Sequence, residues 1–188
     1  MISLGIDGGL SGGLALIESG ERRRVIFACS VPTMGEDAKK RVNVVAVLAV
    51  LQRHKIDHAF IERAQAMPDQ GASSGFHYGR AVGALEASVM GMQIPLTIVE
   101  ASAWKRHHGL IKPSDLSSDE WRKIAKKQSR ARAIMLYPES PFWPLVGDHN
   151  VAEAALIGDY GLSILEGTAH RAGERKKPNK NGQLRLGV

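Results

Sequence analysis

Residues 2–18 read ISLGIDGGLSGGLALIE, and this stretch decides the fold. Two apolar runs, at 2–6 and 13–17, flank a turn made largely of glycine. That pattern predicts two antiparallel strands joined by a tight connection. A third apolar run follows at 25–31 after a charged break. The chain is therefore predicted to open with a three-strand antiparallel meander.

Helical and strand patterns alternate through the rest of the chain. The predicted elements are a helix within 41–55, a strand within 57–62, a helix over 76–92, a strand over 96–99, and helices over 102–107, 119–136 and 148–165. Strands separated by helices need crossover connections, which place helices on both faces of the sheet. We therefore predict an α/β fold of the ribonuclease H-like kind. Its mixed five-stranded sheet joins the antiparallel meander to two helix-connected strands.

Length and charge divide the chain unevenly. The 188 residues fit one globular domain with a tail, which we place at 1–165 and 166–188. Residues 170–188 contain six basic residues and one acidic residue, so the rest of the chain holds only +1 of the net charge of +6. We expect this basic tail to be disordered. It suits a polyanionic partner or, equally, promotes solubility.

Cysteine content and hydropathy point to one compartment. The single cysteine, Cys29, excludes an intramolecular disulfide and a Cys-rich zinc site. The N-terminus lacks the pattern of a signal peptide, and no apolar run reaches the roughly 18 residues of a membrane span. We expect a soluble, cytoplasmic protein with no membrane partner.

Acidic residues end two predicted strands and begin the last predicted helix. Asp7 and Glu62 follow apolar runs, while Asp148 and Glu153 lie where the helix dipole favours anions. Converging carboxylates repel one another unless cations neutralise them, and Mg²⁺ prefers oxygen ligands. Two such ions roughly 3.5–4 Å apart can bracket the reacting oxygens of a phosphodiester. Taken singly, each acid is more often a turn former, a salt-bridge partner or a cap.

The glycines between the first two strands do not form a recognisable phosphate-binding loop. Neither GxxxxGK[ST] nor a GxGxxG that opens a helix occurs there, and a tight turn explains the glycines more simply. We expect no small-molecule nucleotide cofactor.

Four motifs resemble one known family. Residues 5–15, GIDGGLSGGLA, resemble the opening motif of RuvC-type Holliday junction resolvases, with Gly8 where that family often has proline. Residues 61–68, IERAQAMP, and the helix after them are similar to the second acidic motif of the phage and bacterial branch. AWK at 103–105 and DHNVAEA at 148–154 resemble that branch's later motifs. The resemblance spans about residues 2–165, with the motifs in the family's order.

The resemblance implies a nuclease domain that resolves four-way DNA junctions by symmetric nicks, in recombination and repair. It makes Asp7, Glu62, Asp148 and Glu153 the ligands of Mg²⁺, with Mn²⁺ able to substitute. Asp148 fits least well, because cellular bacterial enzymes place the last two acids three apart and this chain has Asn150 there. The phage-like spacing from Asp148 to Glu153 matches better. A bacterial or phage origin is implied.

Two further residues near these motifs are candidates for catalysis. His149 would activate water or contact the scissile phosphate, although a capping or surface histidine explains it nearly as well. Lys105 would reach a phosphate in the active site. Its neighbour Trp104 is predicted to belong to the core.

A cationic stripe is predicted to contact DNA. Its members follow helical spacing and are Arg122, Lys123, Lys126, Lys127 and Arg130. A solvated helix face is the alternative. Near the start of the 76–92 helix, Phe76 and Tyr78 would stack on unpaired bases and Arg80 would add a DNA contact. Core packing explains Tyr78 equally well.

A four-way junction has near two-fold symmetry, so two symmetric cuts imply a homodimer with two active sites. Small residues along the 76–92 helix permit close packing, either in that dimer or against the sheet. Two other functions stay open: a nuclease for flapped or otherwise branched DNA, and a non-catalytic junction-binding protein. An actin-like ATPase is excluded, because that fold needs two such domains and 188 residues leave no room.

Overall fold

The strands form one five-stranded sheet and one small hairpin, flanked by five α-helices in the described part of the chain. A computed structural model describes residues 1–36, 39–65 and 71–169, apart from the side chains at 118, 119, 122, 123 and 146. In chain order the elements are β1 (Ile2–Asp7), β2 (Gly13–Glu18), β3 (Arg24–Ser30), β4 (Thr33–Met34), β5 (Arg41–Val42), α1 (Val44–Gln52), β6 (His58–Glu62), α2 (Ala72–Gly91), β7 (Leu96–Val99), α3 (Ala101–His107), α4 (Ser118–Leu136) and α5 (His149–Leu165).

The main sheet has the order β3-β2-β1-β6-β7. β1, β2 and β3 pair antiparallel, whereas β6 is parallel to β1 and β7 is parallel to β6. The predicted mixed sheet is therefore confirmed. Its central strand is β1, so the residue that ends β1 lies in the middle of one sheet edge.

The sheet carries a separate core on each face. Leu4 and Ile6 pack with α1 and α2, while Phe60 of β6 packs with α3, α4 and α5. Because successive strand residues point to opposite faces, Asp7 and Glu62 lie on the α5 face, two residues beyond Gly5 and Phe60. The predicted helices on both faces are confirmed.

Glycines let α5 approach the sheet unusually closely. A Cβ atom at Gly5 would lie 2.0 Å from the carbonyl oxygen of Ala154, and one at Gly13 would lie 2.6 Å from that of Asn150. Gly13 is also the strand partner of Asp7. The first turns of α5, which carry Glu153, therefore lie directly over the end of β1.

The starts of two helices differ from the sequence-based prediction. α2 begins at Ala72, four residues before the predicted start at 76, and α1 begins later than predicted. Residues 41–42 were predicted as the start of a helix but form β5, which pairs with β4. α1 begins only at Val44, after Asn43, whose side-chain oxygen accepts a hydrogen bond of 3.1 Å from the N–H of Ala46. Two-residue strands are too short to show an alternating pattern, so only this cap marked the true start of the helix.

The chain after α5 stays attached to the domain as far as residue 169. The N–H groups of Thr168 and Ala169 both donate to the carbonyl of Ser163 at 2.8 Å. The basic tail predicted beyond this point, at 170–188, lies outside the described residues. Over the described ranges, no helix is both long and apolar enough to span a bilayer.

Candidate active site

Asp7 lies at the centre of a cluster of acids. Burial raises the pKa of its carboxyl well above the usual value, and the negative charges of Glu153 and Glu62 raise it further. Three distant segments, β1, β6 and α5, supply these three groups. The structure therefore brings together three of the four predicted acids.

Glu62 is oriented by a buried tryptophan. Trp104 of α3 is fully buried, and its indole N–H donates to Oε2 of Glu62 at 2.6 Å. Burial raises the pKa of Glu62, while Lys105 and this hydrogen bond oppose the rise. Sequence reasoning placed Trp104 in the core, where it does lie, but missed its contact with Glu62. Only the AWK motif beside it could have signalled a link to the site.

Glu153 has a comparable neighbour that sequence reasoning missed entirely. The hydroxyl of Ser129, a buried residue of α4, donates to Oε1 of Glu153 at 2.8 Å. In the first turn of α5, three residues before Glu153, the side-chain amide of Asn150 donates to the carbonyl of Ser11 at 2.5 Å. The residue that replaces a family acid thus ties α5 to the turn between β1 and β2.

Positive charge adjoins the acids on two sides. Lys105 of α3 and Lys126 of α4 both lower the pKa of Asp7, against the effect of burial. The ammonium of Lys105 lies 5.0 Å from the ring centroid of Trp104. These two lysines are close enough to attract a phosphate to the cluster.

Asp148 and His149 differ from the three clustered acids in their contacts. Oδ2 of Asp148 accepts a hydrogen bond of 2.8 Å from the N–H of Leu145, and its charge is not among the largest influences on the pKa of Asp7 or Glu62. His149 begins α5, and its Nε2 is buried without a hydrogen-bond partner in the described part of the protein. The catalytic roles of both residues stay predictions.

The predicted DNA contacts divide into exposed and engaged side chains. Phe76 is 66% exposed. Tyr78 is half-buried, and a Cβ atom at Gly9 would lie 3.3 Å from its ring, so it packs under the glycine turn. Arg80, Lys126 and Lys127 are exposed.

Arg130, another member of the cationic stripe, has its guanidinium engaged by the protein itself. The guanidinium of Arg130 donates to the carbonyls of Trp143 and Pro144 at 2.9–3.1 Å, which fixes the loop before α5. The side chains of Arg122 and Lys123 lie outside the described residues. Lys126 and Lys127 are therefore the described members of the stripe that are open to a phosphate.

A second group of possible metal ligands lies farther along α5. Among the described residues, the group in which three such atoms lie within 4.8 Å is His107, His108 and Asp159. Asp159 already forms a 3.0 Å ion pair with Arg23 and accepts a 2.6 Å hydrogen bond from Tyr137. A metal ion there would face the guanidinium, so we interpret this group as a structural network.

The acid cluster itself fits Mg²⁺ by its chemistry. It offers carboxylate oxygens, the ligands that Mg²⁺ prefers, and burial together with the charges of neighbouring acids raises the pKa of Asp7 and of Glu62. Asp7, Glu62 and Glu153 are therefore the described residues that would hold the metal.

The sheet order defines a ribonuclease H-like α/β fold, with acids at the carboxyl ends of β1 and β6. Two solved structures share it over almost their full length: Thermus thermophilus RuvC in complex with a Holliday junction substrate, with a TM-score of 0.64, and Thermus thermophilus RuvC, with a TM-score of 0.58. Each is 19% identical, and each match covers 91% of this chain and 99% of the other. The sequence matches no protein-family model and no curated protein. At this identity the likeness establishes the fold, as the resemblance implied.

Proposed function

We propose that the protein is a divalent-metal-dependent endonuclease that resolves four-way DNA junctions by symmetric nicks. The observation that carries this proposal is the cluster of Asp7, Glu62 and Glu153, whose carboxylates repel one another at the edge of the sheet. The fold supports it, because the RuvC structure that shares the fold was solved with a Holliday junction substrate.

Asp7, Glu62 and Glu153 would hold Mg²⁺, or Mn²⁺ in its place. Bound there, the metal supplies an activated water and stabilises charge on the leaving oxygen. Trp104 donates to one oxygen of Glu62, and Ser129 donates to one oxygen of Glu153. In each carboxylate the other oxygen is left for the metal. Asp148 should contribute least of the four, because its charge is not among the largest influences on the pKa of Asp7 or Glu62.

Three lysines and one aromatic ring would contact the DNA. Lys105 and Lys126 would bind the scissile phosphate, and Lys127 would contact the backbone farther along. Phe76 projects from the start of α2 and would stack on bases freed at the crossover. The predicted basic tail would add affinity that falls as salt rises.

The dimer would form through α2. Its exposed face carries Gly79, Gly83, Ala87 and Met90, and a Cβ atom at either glycine would meet nothing within 4 Å. A face of small residues lets two helices approach closely around a two-fold axis. Each copy would then offer its acid cluster to one of two symmetric strands.

The proposed function is tested by incubating the protein with a synthetic four-way junction, a flap and a linear duplex, in Mg²⁺ and in chelator. Paired nicks in the junction alone, only in Mg²⁺, are the expected result. The matched control is Asp7→Asn, which should bind the junction without cutting it. Cleavage confined to the flap would favour a nuclease for other branched DNA, and binding without any cleavage would favour a junction-binding protein.

A further inference from the structure

A cavity of about 310 Å³ lies between the β4–β5 hairpin and α2, on the opposite face of the sheet from α5. Its walls are mainly apolar and include Leu10, Val42 and Ala84. Arg41, His77 and Arg80 also line it. Its volume is at the lower end of small-ligand pockets, which run roughly 300–1,000 Å³. A duplex or a helix from another protein is therefore too large for it.

We propose that this cavity binds one unpaired nucleotide of the DNA substrate. The base would lie against the apolar wall, and its phosphate would contact Arg41 and Arg80. This inference rests on the proposed function and names a second contact for the same substrate.

The charge of the cavity favours an anion. No described aspartate or glutamate lines it. Arg41 and Arg80 are exposed, and within the described ranges neither forms an ion pair, whereas Arg23, Arg24 and Arg63 each pair with a carboxylate. Two guanidinium groups that form no ion pair with a described residue, beside an apolar wall, match the two halves of a nucleotide, a phosphate and a ring.

The position of the cavity connects it to the acid cluster. Leu10 belongs to the turn that directly follows Asp7 on β1. Arg80 lies one helical turn after Phe76, with its guanidinium carbon 5.9 Å from the centroid of the Phe76 ring. A base displaced by Phe76 would thus find Arg80 and the cavity next to it.

The cavity lies beside the face of α2 that the proposed dimer would use. His77, Arg80, Ala81 and Ala84 line the cavity, whereas the exposed small residues of α2 are Gly79, Gly83 and Ala87. His77 and Ala81 lie on the opposite side of the helix from Gly79 and Gly83, but Arg80 lies one turn before Gly83 and two turns before Ala87. The cavity therefore opens next to the helix that the dimer would use.

The methionines of the chain provide a direct test. Met34 lines the cavity and is 43% exposed, while Met90 and Met135 are exposed elsewhere. We would label the methionine methyl groups with ¹³C and titrate the protein with a deoxynucleoside monophosphate in chelator. The Met34 signal should shift in a saturable way, while the Met90 and Met135 signals stay in place.

Variants separate the parts of the proposal. Arg41→Ala and Arg80→Ala should each weaken binding about tenfold, the effect of losing a charge-assisted hydrogen bond. Arg53→Ala removes the same charge from an exposed site outside the cavity and should change nothing. Ala84→Met fills the cavity without removing charge and should abolish the Met34 shift, with thermal unfolding used to verify its fold.

Several results would overturn the proposal. These are an unchanged Met34 signal, an equal shift with inorganic phosphate alone, or equal weakening by Arg53→Ala. Junction cleavage by the unmodified protein is measured separately. Cleavage without a Met34 shift would refute the cavity alone, and a Met34 shift without cleavage would refute the proposed function alone.

Discussion

The two ends of α5 hold acids in opposite circumstances. Toward its N-terminus, Glu153 faces Asp7 and Glu62, and the charges raise the pKa of Asp7. Toward its C-terminus, Asp159 is buried too, but Arg23 lies 3.0 Å away and Tyr137 donates to it at 2.6 Å. Acids that have a cation inside the protein hold the fold together, whereas acids that mainly face one another require a cation from outside.

The histidine beside Asp159 reinforces this contrast. Burial lowers the pKa of His108 to about 4, so the ring is neutral near pH 7 and its Nε2 lies 2.8 Å from the carbonyl of Leu156. This end of the helix is thus complete without metal.

The largest expected effect is on catalysis at the N-terminal end. Glu62→Gln and Glu153→Gln should each slow junction cleavage by about 100-fold or more, because each removes a charged metal ligand. Asp148→Asn should be less impaired. Single-turnover cleavage assays in Mg²⁺ measure these rates, with thermal unfolding as the control. Cleavage by Glu153→Gln at a nearly unchanged rate would show that this acid does not hold metal.

The next effect is on stability at the other end. Asp159→Asn removes the more buried of the two carboxylates that pair with Arg23 and should lower the free energy of unfolding by about 2–3 kcal/mol. For a protein of this size that corresponds to a fall of roughly 4–12 °C in Tm. Cleavage per folded molecule should be unchanged.

The matched control is Glu166→Gln. Glu166 also pairs with Arg23 but is more exposed, so its loss should cost below about 1 kcal/mol. Equal losses from the two variants would mean that Asp159 has no special structural role.

The sequence predicts part of the acid cluster at the N-terminal end of α5 and none of the ion-pair network around Asp159. Asp7 and Glu62 could be placed because each ends an apolar strand, and parallel neighbours bring their ends to one edge. The hydrogen bonds from Trp104 to Glu62 and from Ser129 to Glu153 could not be predicted. They join residues 42 and 24 positions apart, and the helix packing that brings them together is not encoded in any local pattern.

The ion-pair network around Asp159 could not be predicted either, because its members are far apart in the sequence. Arg23 meets Asp159 across 136 positions of sequence, and nothing local distinguishes it from Arg22 or Arg24. Arg130 likewise follows the spacing of a cationic stripe, although its guanidinium binds backbone carbonyls. Charge spacing identifies a helix face but not which of its side chains are already engaged.

The smallest effect concerns pH in the absence of metal. Because the pKa of Asp7 is raised on folding, its ionised form destabilises the protein above that pKa, and the penalty disappears as pH falls. In chelator, Asp7→Asn should therefore be more stable than the unmodified protein near pH 7. The difference in Tm should shrink toward pH 4, and the effect of His108 cancels because both proteins contain it. A difference that grows as pH falls would contradict the raised pKa.

The most direct test of the contrast is thermal unfolding with and without Mg²⁺ for three proteins: unmodified, Asp7→Asn and Asp159→Asn. A metal that binds only the folded state raises Tm. We predict that Mg²⁺ raises the Tm of the unmodified protein and of Asp159→Asn by similar amounts, and leaves Asp7→Asn almost unchanged. A shift that survives in Asp7→Asn but is lost in Asp159→Asn would place the metal at the wrong end of α5 and contradict the account.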